Sequence, residues 1–371
     1  MVILIIFNLQ LKKVFPMKNI FKKTKTVESQ QTHAPKKVPF SKLKTLLKPL
    51  TEKEYNEAYK DYYLAVVNLT KQYKKNMPPA INNLNFKVGP GEFHAFIGGN
   101  GAGKTTTIKS IVGAYAKYQG SIYMQGYLNK TAEAKRNIGY IPEIARFPEG
   151  MSTKTYLIQM AELSGVEHKA AVKFCEETLV KLKMDKLASK SPNTFSSGQK
   201  KKILLAQALV HDPKILIMDE PAANLDPRAR LDFFDTLKEL QKEGKSIFIS
   251  SHILSELDKY ATHATILDGG HIVFSNNLSV FDRENSTELL LKVDDSAQLV
   301  SYLEKEQYKF FFDNEHHLYH VKNVDAQATQ KILDDLMLLK LEILLFEKFI
   351  PTLEDIYKEY VIKGSVHTMD A

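Results

Sequence analysis

Apolar residues are unevenly spaced along this 371-residue chain, and the spacing changes character near residue 62. Before that point the sequence is lysine-rich and turn-prone; after it, short apolar runs alternate with amphipathic stretches and glycine-marked turns. Phe93 to Ile97 reads as a buried strand entering a glycine-rich loop, and Ile108, Ile111, Val112 and Tyr115 then recur at helical spacing. Two more apolar runs, Ile215 to Met218 and Ile247 to Ile249, flank a stretch with Leu231, Phe234 and Leu237 on one side. Strands alternating with helices predict an α/β core around a largely parallel sheet. Between Thr153 and Lys202 strong strand runs give way to stripes such as Val172, Cys175, Leu179 and Leu182, which predict an inserted helical subdomain at about 143–203.

After Arg283 the pattern restarts. Strands are expected near Leu289 to Val293, Lys309 to Phe312, His317 to Val321 and Leu341 to Phe346, with helices near Ala297 to Leu303 and Ala326 to Met337. That order, βαββαβ, predicts a small ferredoxin-like accessory domain over 284–371 behind a core over 62–283. A last helix would carry Leu353, Ile356, Tyr357 and Tyr360 on one face.

Composition narrows the class. Hydrophobic residues are 44% and charged residues 25% of the chain, values of an ordinary globular protein, which excludes a disordered chain and a polytopic membrane protein. The single cysteine, Cys175, excludes an intramolecular disulfide and a cysteine metal cluster and favours a reducing compartment. The net charge of +8 resembles a nucleic-acid or anionic-membrane signal until it is localised. Residues 1–60 carry 13 lysines and 4 acids, which leaves the remaining 311 residues near −1. The tail also holds an apolar run, Met1 to Leu9, too short for the roughly 20 residues of a spanning helix, and a short basic amphipathic stretch, Phe40 to Leu50.

Candidate chemistry sits in the loops. Gly98-Gly99-Asn100-Gly101-Ala102-Gly103-Lys104-Thr105 fits G-x-x-x-x-G-K-[ST] between a strand and a helix. There, backbone N–H groups and a helix N-terminus can wrap phosphates, the Lys104 ammonium can reach the outer phosphates and the Thr105 hydroxyl can ligate Mg²⁺. Ile215-Leu216-Ile217-Met218-Asp219-Glu220 ends a buried strand on two carboxylates, a costly arrangement without a cation. Asp219 suits a magnesium shell and Glu220 suits a general base for the attacking water.

Between these lies Phe195-Ser196-Ser197-Gly198-Gln199, which resembles the Leu-Ser-Gly-Gly-Gln signature of ATP-binding cassette (ABC) proteins, in the order that family requires. The resemblance covers about 62–275 and implies further roles. Tyr73 would stack on adenine, Thr106 would join the phosphate loop, Ala223-Asn224-Leu225-Asp226 would be the D-loop, and His252 would contact the γ phosphate. It implies ATP and Mg²⁺ as ligands and a head-to-tail dimer of two such chains, the signature of one facing the phosphate loop of the other. Two departures stand out: Ser197 replaces a usual glycine, and Glu143, in Ile138-Gly139-Tyr140-Ile141-Pro142-Glu143, replaces a usual glutamine near the metal. Gly139 to Pro142, the box Pro351-Thr352-Leu353-Glu354-Asp355 and the small C-terminal domain look like peripheral ATPase subunits of ABC-2 type exporters, including the drug and bacitracin-resistance type. These work on the cytoplasmic face of the membrane with a permease on separate chains. The competing class, a soluble ABC ATPase acting on ribosomes or nucleic acid, is disfavoured by the single cassette, by the 92 residues separating Lys104 from Ser196, too few for a long coiled-coil insertion, and by the near-neutral body. No nucleic-acid partner is expected.

Overall fold

The computed structural model describes residues 59–281, 287–314 and 316–363, all within one compact unit spanning 51–371. The apolar run at Met1 to Leu9 and the amphipathic stretch at Phe40 to Leu50 lie outside the described residues.

The cassette begins with strands β1 (Leu64–Lys71), β2 (Ile81–Val88) and β3 (Phe93–Gly98), then helix α1 (Lys104–Ile111), β4 (Gln119–Met124), β5 (Tyr127–Leu128), α2 (Ala132–Arg136) and β6 (Ile138–Ile141). A helical stretch follows with α3 (Thr153–Leu163), α4 (His168–Lys181) and α5 (Ser197–Leu209). The core resumes with β7 (Ile215–Met218), α6 (Pro227–Lys242), β8 (Ser246–Ser251), α7 (Leu254–Leu257), β9 (His263–Asp268) and β10 (His271–Asn277).

The central sheet has the order β10-β9-β3-β8-β7-β6, parallel except at β10. Every residue of β3, β7 and β8 is buried, as a sheet covered on both faces demands. On one side Phe86, Phe96 and Phe248 stack at centroid distances of 5.1 to 5.6 Å beneath the antiparallel sheet β2-β1-β4-β5. On the other side α5, α6 and the helices α3 and α4 pack, with Cys175, Leu179 and Leu182 in the same cluster. The stripe expected on α6 is displaced: Phe233, Phe234, Leu237 and Leu240 are buried, whereas Leu231 faces outward. Leu231 lies near the helix start, on the side turned away from the sheet.

The C-terminal part comprises β11 (Leu289–Val293), α8 (Ser296–Lys305), β12 (Lys309–Asp313), β13 (Leu318–Lys322), α9 (Ala326–Leu338) and β14 (Ile343–Lys348). Its strands form an antiparallel sheet ordered β12-β13-β11-β14, the arrangement of a split βαββαβ unit. Leu289, Leu291, Val293, Leu299, Leu303, Ile332 and Leu336 build its own core. The last helix, α10 (Leu353–Tyr357), falls within the 284–371 expected for this unit. Its apolar face instead packs into the cassette core through Leu353 and Ile356, both essentially inaccessible. The Leu353 amide also donates to Asp258 at 2.8 Å. The reason is physical: the C-terminal core is already closed by α8 and α9, so a third apolar helical face is buried against the larger core.

Candidate active site

Strand order decides where the loops meet. Because β3, β8 and β7 are adjacent and parallel, the residues that follow their carboxyl ends converge on one edge of the sheet. These are the glycine loop after β3, Ser251 and His252 at the end of β8, and Asp219 and Glu220 after β7.

The glycine loop is shaped for an anion. Gly101 (φ +82°) and Gly103 (φ +109°) take left-handed backbone angles, and a Cβ on Gly103 would lie 2.4 Å from the Ile81 side chain. Helices α3, α5, α6, α8 and α9 all begin with a side-chain cap from Ser152, Ser196, Asp226, Asp295 and Asp325. Helix α1, like α4 and α7, has no side-chain cap, but it alone follows a glycine-rich loop, so its first N–H groups and those of the loop could face one anion. Lys104, buried at the helix start, donates to the carbonyls of Gly98 at 2.8 Å and Gly99 at 3.2 Å, and its ammonium lies 3.4 Å from Glu220 Oε1. Asn100 and Ala102 complete the loop, and the Ala102 amide donates to Gly99 at 3.2 Å.

Asp219 is only 2% exposed, and its Oδ1 accepts hydrogen bonds from Thr105 Oγ1 at 3.2 Å and Ser250 Oγ at 3.0 Å. Burial pushes its pKa up, the negative charges of Glu220 and Glu143 add to that, and the two hydroxyl hydrogen bonds only partly oppose it. A buried carboxylate beside a hydroxyl and a second acid is a hard-oxygen set that a Mg²⁺ ion fits, because the cation would relieve the crowding of negative charge. Glu220 has φ +43°, uncommon for a residue with a side chain; its amide donates to Ser250 at 3.0 Å and its Oε2 meets His252 Nδ1 at 2.9 Å. The strained backbone turns the carboxylate out of the buried strand toward the histidine.

Tyr73, 53% exposed, forms a second group: its hydroxyl lies 3.0 Å from Thr106 Oγ1 and donates to Tyr115 at 3.2 Å, with the two tyrosine rings edge to face. Glu143 follows β6 at the same sheet edge, and its carbonyl oxygen accepts from Lys201 Nζ, which also donates to Pro142 at 3.3 Å. Burial lowers the Lys201 ammonium to about 8, although Glu143 and Asp219 pull it back up.

Ser196, Ser197, Gly198, Gln199 and Asp226 stand apart. Ser196 and Gln199 form a reciprocal capping box at the start of α5, with Gln199 N to Ser196 Oγ at 3.3 Å and Ser196 N to Gln199 Oε1 at 3.1 Å. Ser197 opens the helix. Gly198 faces Ala229 of α6, where a Cβ would sit 3.1 Å away, and Asp226 caps α6 through Ala229. Among the described residues no hydrogen bond or ion pair joins this group to the glycine loop.

Three contributors escaped the sequence reading. Ser250 holds Asp219 and the Glu220 amide together; its signal was its place directly before Ser251-His252. Lys201 ties the signature helix to the loop carrying Glu143. Tyr357 of α10 sets its hydroxyl 3.5 Å from the point where a side chain on Gly99 would begin, which brings the far end of the chain to the glycine loop.

A profile of the family described as ABC transporter matches residues 81–223. A putative ABC transporter ATP-binding protein of Mycoplasma pneumoniae is 44% identical over 62% of this chain and 72% of its own length. YxlF of Bacillus subtilis, an uncharacterized ABC transporter ATP-binding protein, is 30% identical over 80% of this chain and 99% of its own. The bacitracin transport ATP-binding protein BcrA of Bacillus licheniformis is 31% identical over 65% of this chain and 78% of its own. Among solved structures, CbiO1 from Clostridium perfringens, described as part of an ABC transporter complex, superposes with a TM-score of 0.54 at 27% identity, covering 60% of this chain and 92% of that one. Phosphate loop, acidic strand end and histidine thus stand in an ABC-type α/β fold shared with these proteins, and the chain belongs to the ABC transporter ATP-binding family, whose members are P-loop ATPases.

Proposed function

We propose that this chain is the ATP-hydrolysing subunit of an ABC-2 type exporter, acting as a homodimer on the cytoplasmic face of the membrane with a permease carried on separate chains. The observation that supports the ATPase role most directly is the convergence of Lys104, Thr105, Asp219, Glu220 and His252 at one sheet edge. Lys104, together with the amides of Gly101 to Thr105, holds the β and γ phosphates. Tyr73 supplies a face for adenine, and Gly98 and Gly103 let the backbone approach closely. Thr105 and Asp219, with Glu143, would hold a Mg²⁺ ion, which when bound would supply positive charge to the phosphates. Glu220 orients the attacking water and takes its proton, and His252, bonded to Glu220, stays beside the γ phosphate.

The signature group cannot complete the site of its own chain by any described contact, so the reading assigns it to the site of a second copy. There the partner's Ser196, Ser197 and Gly198 present hydroxyl and amide donors at the start of a 13-residue helix to the γ phosphate, and the partner's Asp226 lies beside them. The relatives support the exporter reading over other ABC roles: they include the bacitracin transport protein BcrA and the linearmycin resistance protein LnrL.

Affinity purification of the chain from gently solubilised native membranes tests this. A polytopic membrane protein in near-stoichiometric amount is the expected result. Ribosomes or nucleic acid with no membrane partner would overturn the exporter role and leave the ATPase chemistry standing. For the chemistry, Glu220→Gln is expected to keep ATP binding and lose at least about 100-fold in turnover, the low end of a general-base contribution. Unchanged turnover would remove Glu220 from the role.

A further inference from the structure

The edge strand β12 reads Lys309-Phe310-Phe311-Phe312-Asp313. It pairs with β13 on one side, Phe311 opposite His320, and among the described residues no strand covers its other side. Phe311 and Phe312 are 44% and 40% exposed. Natural edge strands are commonly blunted by charges, proline or a bulge; this one is regular, lacks proline and bares two aromatic rings between a single base and a single acid.

We propose that β12 is a dimerisation edge that pairs antiparallel with β12 of a second copy about a twofold axis through Phe311. Within the five residues of the strand, the sequence is self-complementary in this register. Centred on Phe311, antiparallel pairing sets Lys309 opposite the partner's Asp313 and Asp313 opposite the partner's Lys309. Phe310 then faces the partner's Phe312, and Phe311 faces the partner's Phe311. Both outer pairs are opposite charges and all three inner pairs are aromatic, the combinations that stabilise neighbouring strands. Sliding the pair by two residues leaves no opposite-charge pair between strand residues, and an in-register parallel pairing sets lysine against lysine and aspartate against aspartate. The wrong arrangements are thus penalised by the same two residues that favour the right one.

The surroundings agree with this occupant. Lys309, Phe311 and Asp313 share the sheet face turned away from α8 and α9. Phe311 is backed by His320 at 4.5 Å and Phe312 by Tyr319 at 4.8 Å, so both rings are held by neighbours before a partner arrives. Asp313 already meets His316 Nδ1 at 2.7 Å, and the partner's Lys309 would join that pair from the open side. The contact is isologous, so it closes at two copies and makes one continuous eight-stranded sheet from two four-stranded ones. It needs no nucleotide and is separate from the signature-to-phosphate-loop contact. It holds whether or not the chain serves a permease.

The test is sedimentation equilibrium of the full chain without nucleotide. A dimer is expected, with Lys309→Asp and Asp313→Lys each weakening association at least tenfold and the double variant Lys309→Asp/Asp313→Lys, which restores opposite charges across the axis, recovering it to within a few-fold. Retained ATP binding verifies the cassette, and recovery of the dimer by the double variant verifies that the charge-reversed sheet is folded. Register is read separately by Phe311→Cys in a Cys175→Ser background, which should form an interchain disulfide on mild oxidation, whereas Leu344→Cys on the opposite edge strand should not. A monomer at all concentrations, a dimer indifferent to Lys309→Asp, failure of the double variant to recover, open-ended polymers, or crosslinking at Leu344 in place of Phe311 would each overturn the proposal.

Discussion

Ser250 shows how one hydroxyl can organise a site without touching substrate. It donates to Asp219 and accepts from the Glu220 amide, so it fixes both the candidate metal carboxylate and the strained turn that aims the candidate base. Partners of this kind typically matter 10- to 100-fold. Ser250→Ala should therefore lower ATP turnover by about 10-fold or more and raise the Mg²⁺ concentration for half-maximal rate, measured in a steady-state metal titration. Cys175 illustrates the opposite case, a potentially reactive group silenced by position. Burial pushes its thiol up to about 11. The sign follows: between pH 7 and 9 the folded protein keeps the thiol protonated, so alkylation should be slow and nearly flat with pH. In denaturant the rate should rise steeply as pH approaches the ordinary thiol value near 9. Fast alkylation of the folded chain at pH 8 would contradict the burial. The same position explains why Cys175 reads correctly as a core residue from its helical stripe, since Leu179 and Leu182 bury alongside it.

At the scale of elements, the strands and helices that carry chemistry are those with unambiguous local signals. Strands β3, β7 and β8 are continuous apolar runs, and α1 follows a glycine loop, so their place follows from pattern alone. The other cassette strands are not expected from pattern, and for β1, β2, β4 and β5 the reason is partial exposure or interruption: β2 alternates asparagine with apolar residues, and β1 carries Asn68 at φ +51° with register shifts on both sides. Their identity depends on pairing with each other. The C-terminal elements all appear in the expected order, with β14 starting two residues later than its apolar run, because Leu341 is used to close the helix-side core and pairing begins only at Ile343. The last helix departs most from expectation, since its four-residue stripe says which face is buried and not against what. Leu353→Ala should cost about 2–5 kcal/mol, as for a buried leucine in a closed core. Because that core belongs to the cassette, the loss should appear in thermal unfolding of the nucleotide-binding part, monitored by loss of ATP protection. An effect confined to the C-terminal sheet would contradict the packing.

For the whole molecule, the division between candidate residues that meet within the chain and those that do not is the informative result. Lys104, Thr105, Asp219, Glu220 and His252 form one hydrogen-bonded and ion-paired cluster, whereas Ser196, Gln199 and Asp226 form two local helix caps away from it. In a Lys309→Asp background, which weakens the β12 contact, a Glu220→Gln chain should consequently shift from monomer to dimer on adding ATP, seen in light scattering, and adding Lys104→Ala should abolish the response. The sequence by itself determined the phosphate loop, the acidic strand end, the histidine and the signature, because each is a contiguous string whose chemistry resides in its own backbone and side chains. It also determined the C-terminal element order, through apolar periodicity. Only the tertiary structure decided that Ser250 and Lys201 bond to the candidate site loops, that Tyr357 comes near the glycine loop, that α10 packs in the cassette core, and that β12 stands at an edge with its rings exposed. Those facts depend on which strands become neighbours and which surfaces are already covered, and the hydrophobic effect that settles them is blind to distance along the chain.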